Sequence, residues 1–311
     1  MQNSFRFKKT LAVSIVLLAS SGLALASSSY TVTGDLSSSG AAHLSGAINY
    51  TGTLSGLFDT VSHEAVYIDN GTPYNDMYAN QDYIVATSSS GAHATFSVGE
   101  ITVGNALSSI TITSNSTTGY TITGPSGQTL SHVTNINVVH TSMPAGTAGY
   151  SSSFVINGTF TAKGTVLFNS SNFPGTYSTA TVPASSGNKN NYTGVSLATL
   201  LSQAGVNMSN LNQYVIATGM DGGETVLSMD EILDSNDIVA TEENGASLSS
   251  TRGYARLILP GDSSTARSIF TLASLTVESS AATPEPCSLL LLGSGLLGLA
   301  GAAKLGKKSK I

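Results

Sequence analysis

Apolar residues recur along this chain in short bursts separated by Ser, Thr, Gly and Asn. Tyr214 to Thr218 and Thr225 to Leu227 flank Gly222-Gly223, a spacing that predicts two strands joined by a tight turn. Val195–Ala204 differs, because Leu197, Leu200 and Leu201 fall at helical spacing and Gly205 stands where a helix stops. Asn244-Gly245 predicts another tight turn, Arg256–Leu259 a strand ended by Pro260-Gly261, and Ser268–Val277 a last strand. The fold class expected from this pattern is α+β or mainly β, with many short strands and one or two short helices.

The pattern occurs twice. Residues 81–101 (QDYIVATSSSGAHATFSVGEI) align without a gap on residues 212–232 (NQYVIATGMDGGETVLSMDEI), pairing Tyr83 with Tyr214, Ala86 with Ala217, Thr87 with Thr218, Gly91 with Gly222, Ser97 with Ser228, Glu100 with Glu231 and Ile101 with Ile232. The flanks keep the same order: Tyr50-Thr51-Gly52 and Tyr192-Thr193-Gly194 before the blocks, Val133–Val138 and Leu272–Val277 after them. The expectation is two tandem β-rich domains, residues 29–142 and 153–280, joined by a linker over 143–152.

Both ends depart from this pattern. Arg6, Lys8 and Lys9 precede an apolar run from Leu11 to Leu18, and Ala24-Leu25-Ala26 forms an A-x-A cleavage pattern, so residues 1–26 read as a signal peptide cut after Ala26. An uncleaved N-terminal anchor is the competing reading, and it would need a longer apolar run. At the other end, Leu289 to Ala303 is apolar and Lys304, Lys307, Lys308 and Lys310 follow, which reads as a transmembrane helix over 289–303 with its C-terminus held in the cytoplasm.

Composition narrows the chemistry of what lies between. Cys287 is the only cysteine, which removes intrachain disulfides, zinc–thiolate and iron–sulfur sites, and a cysteine nucleophile from residues 27–283. That span carries five basic and 17 acidic residues, a balance that disfavours nucleic acid as a partner. His43, His63, His93, His132 and His140 form no close ligand pattern, and no G-x-S-x-G elbow occurs. Asp221, Glu224, Asp230, Glu231, Asp234 and Asp237 supply hard oxygen atoms suited to calcium, though not at EF-hand spacing. The Asp69–Tyr78 segment has the tyrosine and amide content of a carbohydrate-contacting loop or of an ordinary insertion.

Two stretches resemble known families. Pro284-Glu285-Pro286, the segment LLLLGSGLLGLAG and the basic tail together resemble the PEP-CTERM sorting signal over residues 284–311, with Cys287 where such tails more often carry a small residue. This resemblance implies signal peptidase and an exosortase as partners, membrane attachment through the C-terminal helix before processing, and a destination in the periplasm, at the cell surface or in the extracellular matrix.

Residues 192–277, through YTGVSLATLLSQAGV, YVIATGMDGGETVLSMDEI, IVATEENGASL and GYARLILPGD…ARSIFTLASLTV, resemble the molybdopterin-binding domain of the sulfite oxidase family. The resemblance implies that Arg267 is the remnant of a contact to the pterin phosphate. The neighbouring lysine position holds Phe270, and the cysteine that ligates molybdenum in the family is missing. The function expected from the sequence is therefore a non-catalytic structural or binding role at the cell envelope, with extracellular polysaccharide as a candidate contact. No cofactor is expected, molybdopterin being disfavoured and calcium left open. The alternative is a pterin- or small-anion-binding, oxidoreductase-like protein that uses the second domain.

Overall fold

A computed structural model describes residues 29–36, 44–59, 81–102, 110–141, 146, 149–175, 177–183, 189–248, 253–262 and 265–280. The expected signal peptide with Ala24 and Ala26, most of the expected linker, the Asp69–Tyr78 segment, His43, His63, and the expected sorting tail with Pro284, Glu285, Pro286 and the helix expected over 289–303 lie outside these residues. Among the described residues no helix is long and apolar enough to cross a membrane.

The chain is mainly β. In its N-terminal half the elements are β1 (Thr31–Gly34), β2 (Gly52–Thr53), α1 (Leu54–Asp59), β3 (Asp82–Ser88), β4 (His93–Ser97), α2 (Val98–Thr102), β5 (Thr111–Asn115), β6 (Gly119–Thr123), β7 (Thr129–Ser131) and β8 (Val133–His140). The C-terminal half follows with β9 (Ser153–Gly158), β10 (Val166–Asn169), β11 (Ser178–Pro183), β12 (Lys189–Ser196), α3 (Leu197–Gln203), β13 (Gln213–Gly219), β14 (Glu224–Ser228), α4 (Met229–Asp234), β15 (Ile238–Glu243), β16 (Ala246–Ser247), β17 (Arg256–Ile258) and β18 (Leu272–Ser279).

Each half has two sheets. The first half holds β1-β8-β3-β4 and β2-β5-β6-β7; the second holds β10-β9-β18-β13-β14 and β11-β12-β15-β16, with β17 on β15. In both halves the last long strand pairs parallel with the first (β8 with β1, β18 with β9) and antiparallel with the hairpin's leading strand (β3, β13). The likeness extends to detail. Register shifts fall at Thr87/Ser88 and at Thr218/Gly219. β8 and β18 share one alternation of buried and half-buried positions. Each is entered through a residue with positive φ, His132 at 59° and Thr271 at 49°.

The periodicity of the sequence explains the packing. The inward-facing apolar residues of the C-terminal half, among them Phe154, Ile156, Leu197, Leu200, Leu201, Val215, Leu227, Ile232, Leu275 and Val277, form one core. Tyr30, Leu54, Leu57, Ile84, Phe96, Ile122 and Ile136 anchor the other. The α3 helix starts at Leu197, not at Val195, because Val195 and Ser196 are still paired to β15. Its hydroxyl cap is Ser196, whose Oγ accepts from the Thr199 N–H at 3.1 Å. The last strand begins at Leu272, not at Ser268. Thr271 takes a left-handed conformation that breaks the extended chain there, and before it Ile269 makes only an isolated bridge to Leu257.

Candidate functional site

Ser97 and Ser228 end the two equivalent β strands and cap the helices that follow. Ser97 Oγ accepts from the Glu100 N–H at 3.1 Å, and Ser228 Oγ accepts from the Glu231 N–H at 3.0 Å. Both segments read S-x-x-E, the capping-box pattern. The two halves meet here: α2 packs on β14 and α4 packs on β4, an exchange that leaves equivalent residues facing each other. Tyr83 and Tyr214 stack with ring centroids 4.4 Å apart, and the Tyr214 hydroxyl donates to that of Tyr83 at 3.2 Å.

The glutamates turn into this seam. Arg267 lies at its centre, 1% exposed. Its Nε donates to Asp262 Oδ2 at 2.8 Å and its Nη2 to Asp262 Oδ1 at 2.5 Å, while Nη2 also lies 2.5 Å from Glu231 Oε1. The fourth contact crosses the seam, from Nη1 to Ser97 Oγ at 3.3 Å. Burial pushes the guanidinium toward neutrality, but Glu231 and Asp262 outweigh it and hold the charge. Ser228 reciprocates by donating to Glu100 Oε2 at 3.3 Å. Asp230, on the same helix as Glu231, takes the Ser126 hydroxyl from the first half. Gly124 beside it leaves no room for a side chain against the Asp230 carboxylate.

A second basic residue, Arg256, is buried between aromatic rings. Its guanidinium carbon lies 3.2 Å from the Phe270 centroid and 5.1 Å from that of Tyr192. Arg256 Nη1 donates to the Tyr192 hydroxyl at 2.7 Å, which donates to Glu243 Oε1 at 2.9 Å. Phe270, 43% exposed, therefore closes over Arg256 from the solvent side.

Comparison with known proteins bears on what this framework is. Residues 168–283 match the family described as the oxidoreductase molybdopterin binding domain. Among solved structures, the sulfane dehydrogenase SoxCD from Paracoccus pantotrophus is similar at 22% identity and a TM-score of 0.34, over 56% of this chain and 48% of that one. The chain thus spans about half the length of that protein's chain. No match is found among curated proteins.

The family match corrects two sequence-based expectations. The expectation of a non-catalytic structural or polysaccharide-contacting role is contradicted, because residues 168–283 match the family described as the oxidoreductase molybdopterin binding domain. The expectation of no cofactor falls for the same reason. Both rested on the missing thiolate, which concerns one metal ligand; the match extends over residues 168–283. Calcium has no support from the residues proposed for it. Asp221 and Glu224 lie in the β13–β14 hairpin, whereas Asp230, Glu231 and Asp237 are buried, and no group among the described residues could hold a metal ion.

The residues nominated for the implied group do not fit it as the resemblance suggested. Arg267 is 1% exposed, and four of its five N–H groups are directed at Asp262, Glu231 and Ser97, so it is not presented to a phosphate. The described residues include no cysteine, since Cys287 falls beyond them. Phe270, at the position of the family's lysine, covers an arginine in place of presenting a charge. Sequence reasoning reached Arg267 but missed Asp262, Ser97, Ser228 and Arg256. The paired S-x-x-E motifs were the available signal.

The remaining histidines are scattered. His93 Nδ1 pairs with Thr87 Oγ1 at 3.1 Å, and His140 Nδ1 with Asp82 Oδ1 at 2.7 Å. Burial, partly offset by His140, pushes the Asp82 carboxyl up to about 6.

Proposed function

We propose that this is an oxidoreductase-like protein whose C-terminal half takes a pterin or another small anionic ligand. The match of residues 168–283 to the molybdopterin-binding domain carries this reading. Charge supports it: every basic residue between Ser27 and Thr283 falls in the stretch Lys163–Arg267, so the N-terminal half offers an anion no fixed positive charge. Because Arg267 is spent on its own carboxylates, the ligand's charge is met by other cations, of which Lys163 and Lys189 are exposed. The ligand is held by an oxidoreductase-like domain, and no redox step is assigned to particular residues. The test is to purify the protein from its own host and assay molybdenum by mass spectrometry and pterin by fluorescence after oxidative release. About one pterin per chain supports the reading; no pterin and no other bound anion overturns it.

The two terminal segments support a further part of the proposal, export and surface sorting. Signal peptidase would cut after Ala26, and an exosortase would act at Pro284-Glu285-Pro286 once the apolar 289–303 segment lodges in the inner membrane. The destination proposed is the periplasm, cell surface or extracellular matrix. The repeated strand order of the halves supports a tandem duplication, with units over 29–142 and 153–280.

A further inference from the structure

The seam between the halves is unbalanced in charge. Glu100, Asp230, Glu231, Asp237 and Asp262 are all buried around a single guanidinium, that of Arg267. Asp262 and Glu231 take that guanidinium. Asp230 takes Ser126. Glu100 receives only the Ser228 hydroxyl, and its Oε1 has no hydrogen-bond partner; Glu231 Oε2 and Asp237 Oδ2 are likewise unpaired. The repeat explains the imbalance, because Glu100 is the counterpart of Glu231 and residues 27–142 contain no Lys or Arg to pair with it.

An isolated buried carboxylate is far more costly than a buried neutral acid, so a group in this position keeps its proton. We propose that the seam is a proton-locked joint: Glu100 sits in it as a neutral acid at neutral pH, and losing that proton loosens the N-terminal half from the C-terminal half. Among the described residues, these charged groups surround Glu100. From α4 come Glu231 and Asp230, with exposed Asp234 behind; from the segment before β18 come Arg267 and its partner Asp262; Asp237 stands beyond Glu231. Of these described groups only Arg267 is positive, and it is shared.

Burial, then Glu231, pushes the Glu100 carboxyl well above the usual carboxylate range; Asp230 adds to this and Arg267 offsets it only in part. The sign follows from linkage. A carboxyl raised in the folded state holds a proton that the unfolded chain has released, so stability is present below the ordinary glutamate range and is lost as pH rises through the folded value. Burial and Glu231 raise Asp237 as well, which adds alkaline sensitivity to the C-terminal half independently of Glu100.

The experiment compares the mature chain with its Glu100→Gln variant by thermal unfolding and small-angle scattering across neutral to alkaline pH. The wild type should lose stability, the folded-to-unfolded ratio falling by about tenfold per pH unit for each proton released. Its radius of gyration should grow. Glu100→Gln, which keeps the shape of the neutral acid, should be at least as stable at neutral pH and should lose most of the expansion. An unchanged expansion in the variant overturns the proposal. Should the variant not fold, infrared spectroscopy of the wild type decides. A protonated carboxyl band at neutral pH that disappears with the expansion supports the joint, and its absence at neutral pH overturns it.

Discussion

Arg267 shows how one buried residue holds together groups far apart in sequence. Asp262, five positions upstream, and Glu231 on α4 fix its two ends, and Ser97 reaches it from the other half. Replacing it with methionine would leave Glu231 and Asp262 buried without a counter-charge. The expected loss is about 3–5 kcal/mol, read as a lower midpoint in urea unfolding. A change within the error of measurement would show that the carboxylates are neutral without it. The sequence pointed to Arg267 only through a resemblance, and not to Asp262, Glu231 or Ser97 beside it. An ion pair within a loop and across a seam leaves no periodic trace, whereas the S-x-x-E repeats around Ser97 and Ser228 did.

Among elements, those set by local rules were legible. The β13–β14 hairpin, the Leu197–Leu200–Leu201 face of α3 and the Asn244-Gly245 turn, with φ of 53° and 78°, follow from alternation, helical spacing and left-handed turn chemistry. The start of β18 was not legible, because the positive φ of Thr271 is imposed by packing against the instincts of a β-branched residue. Close approach between β12 and β15 was hidden too. A Cβ at Gly194 would lie 2.1 Å from the Val239 carbonyl oxygen, beside the register shift at Thr193/Gly194. Gly194→Ala should therefore destabilise the protein by about 1–3 kcal/mol, since backbone on both sides must move. Hydrogen exchange should show the loss concentrated in β12 and β15; wild-type protection there would refute the account of this glycine.

For the whole molecule, the repeat at a spacing of 131 could be read from the sequence, but not that the repeated residues touch. Tyr83 meets Tyr214 because the halves pack through equivalent faces, a tertiary arrangement that no single segment encodes. A double-mutant cycle with Tyr83→Leu and Tyr214→Leu should give a coupling of about 0.5–1.5 kcal/mol, and additive effects would show that the stack adds nothing beyond burial. Function was less legible than fold. The missing thiolate is a fact of one residue and was read as the loss of catalysis and cofactor, while the family match extends over residues 168–283. The most direct measurement of that role is native mass spectrometry of the protein recovered from its own host, before and after unfolding. A pterin-sized or other anionic adduct, near one per chain, that is released on unfolding is expected. A native mass equal to that of the bare polypeptide would contradict it.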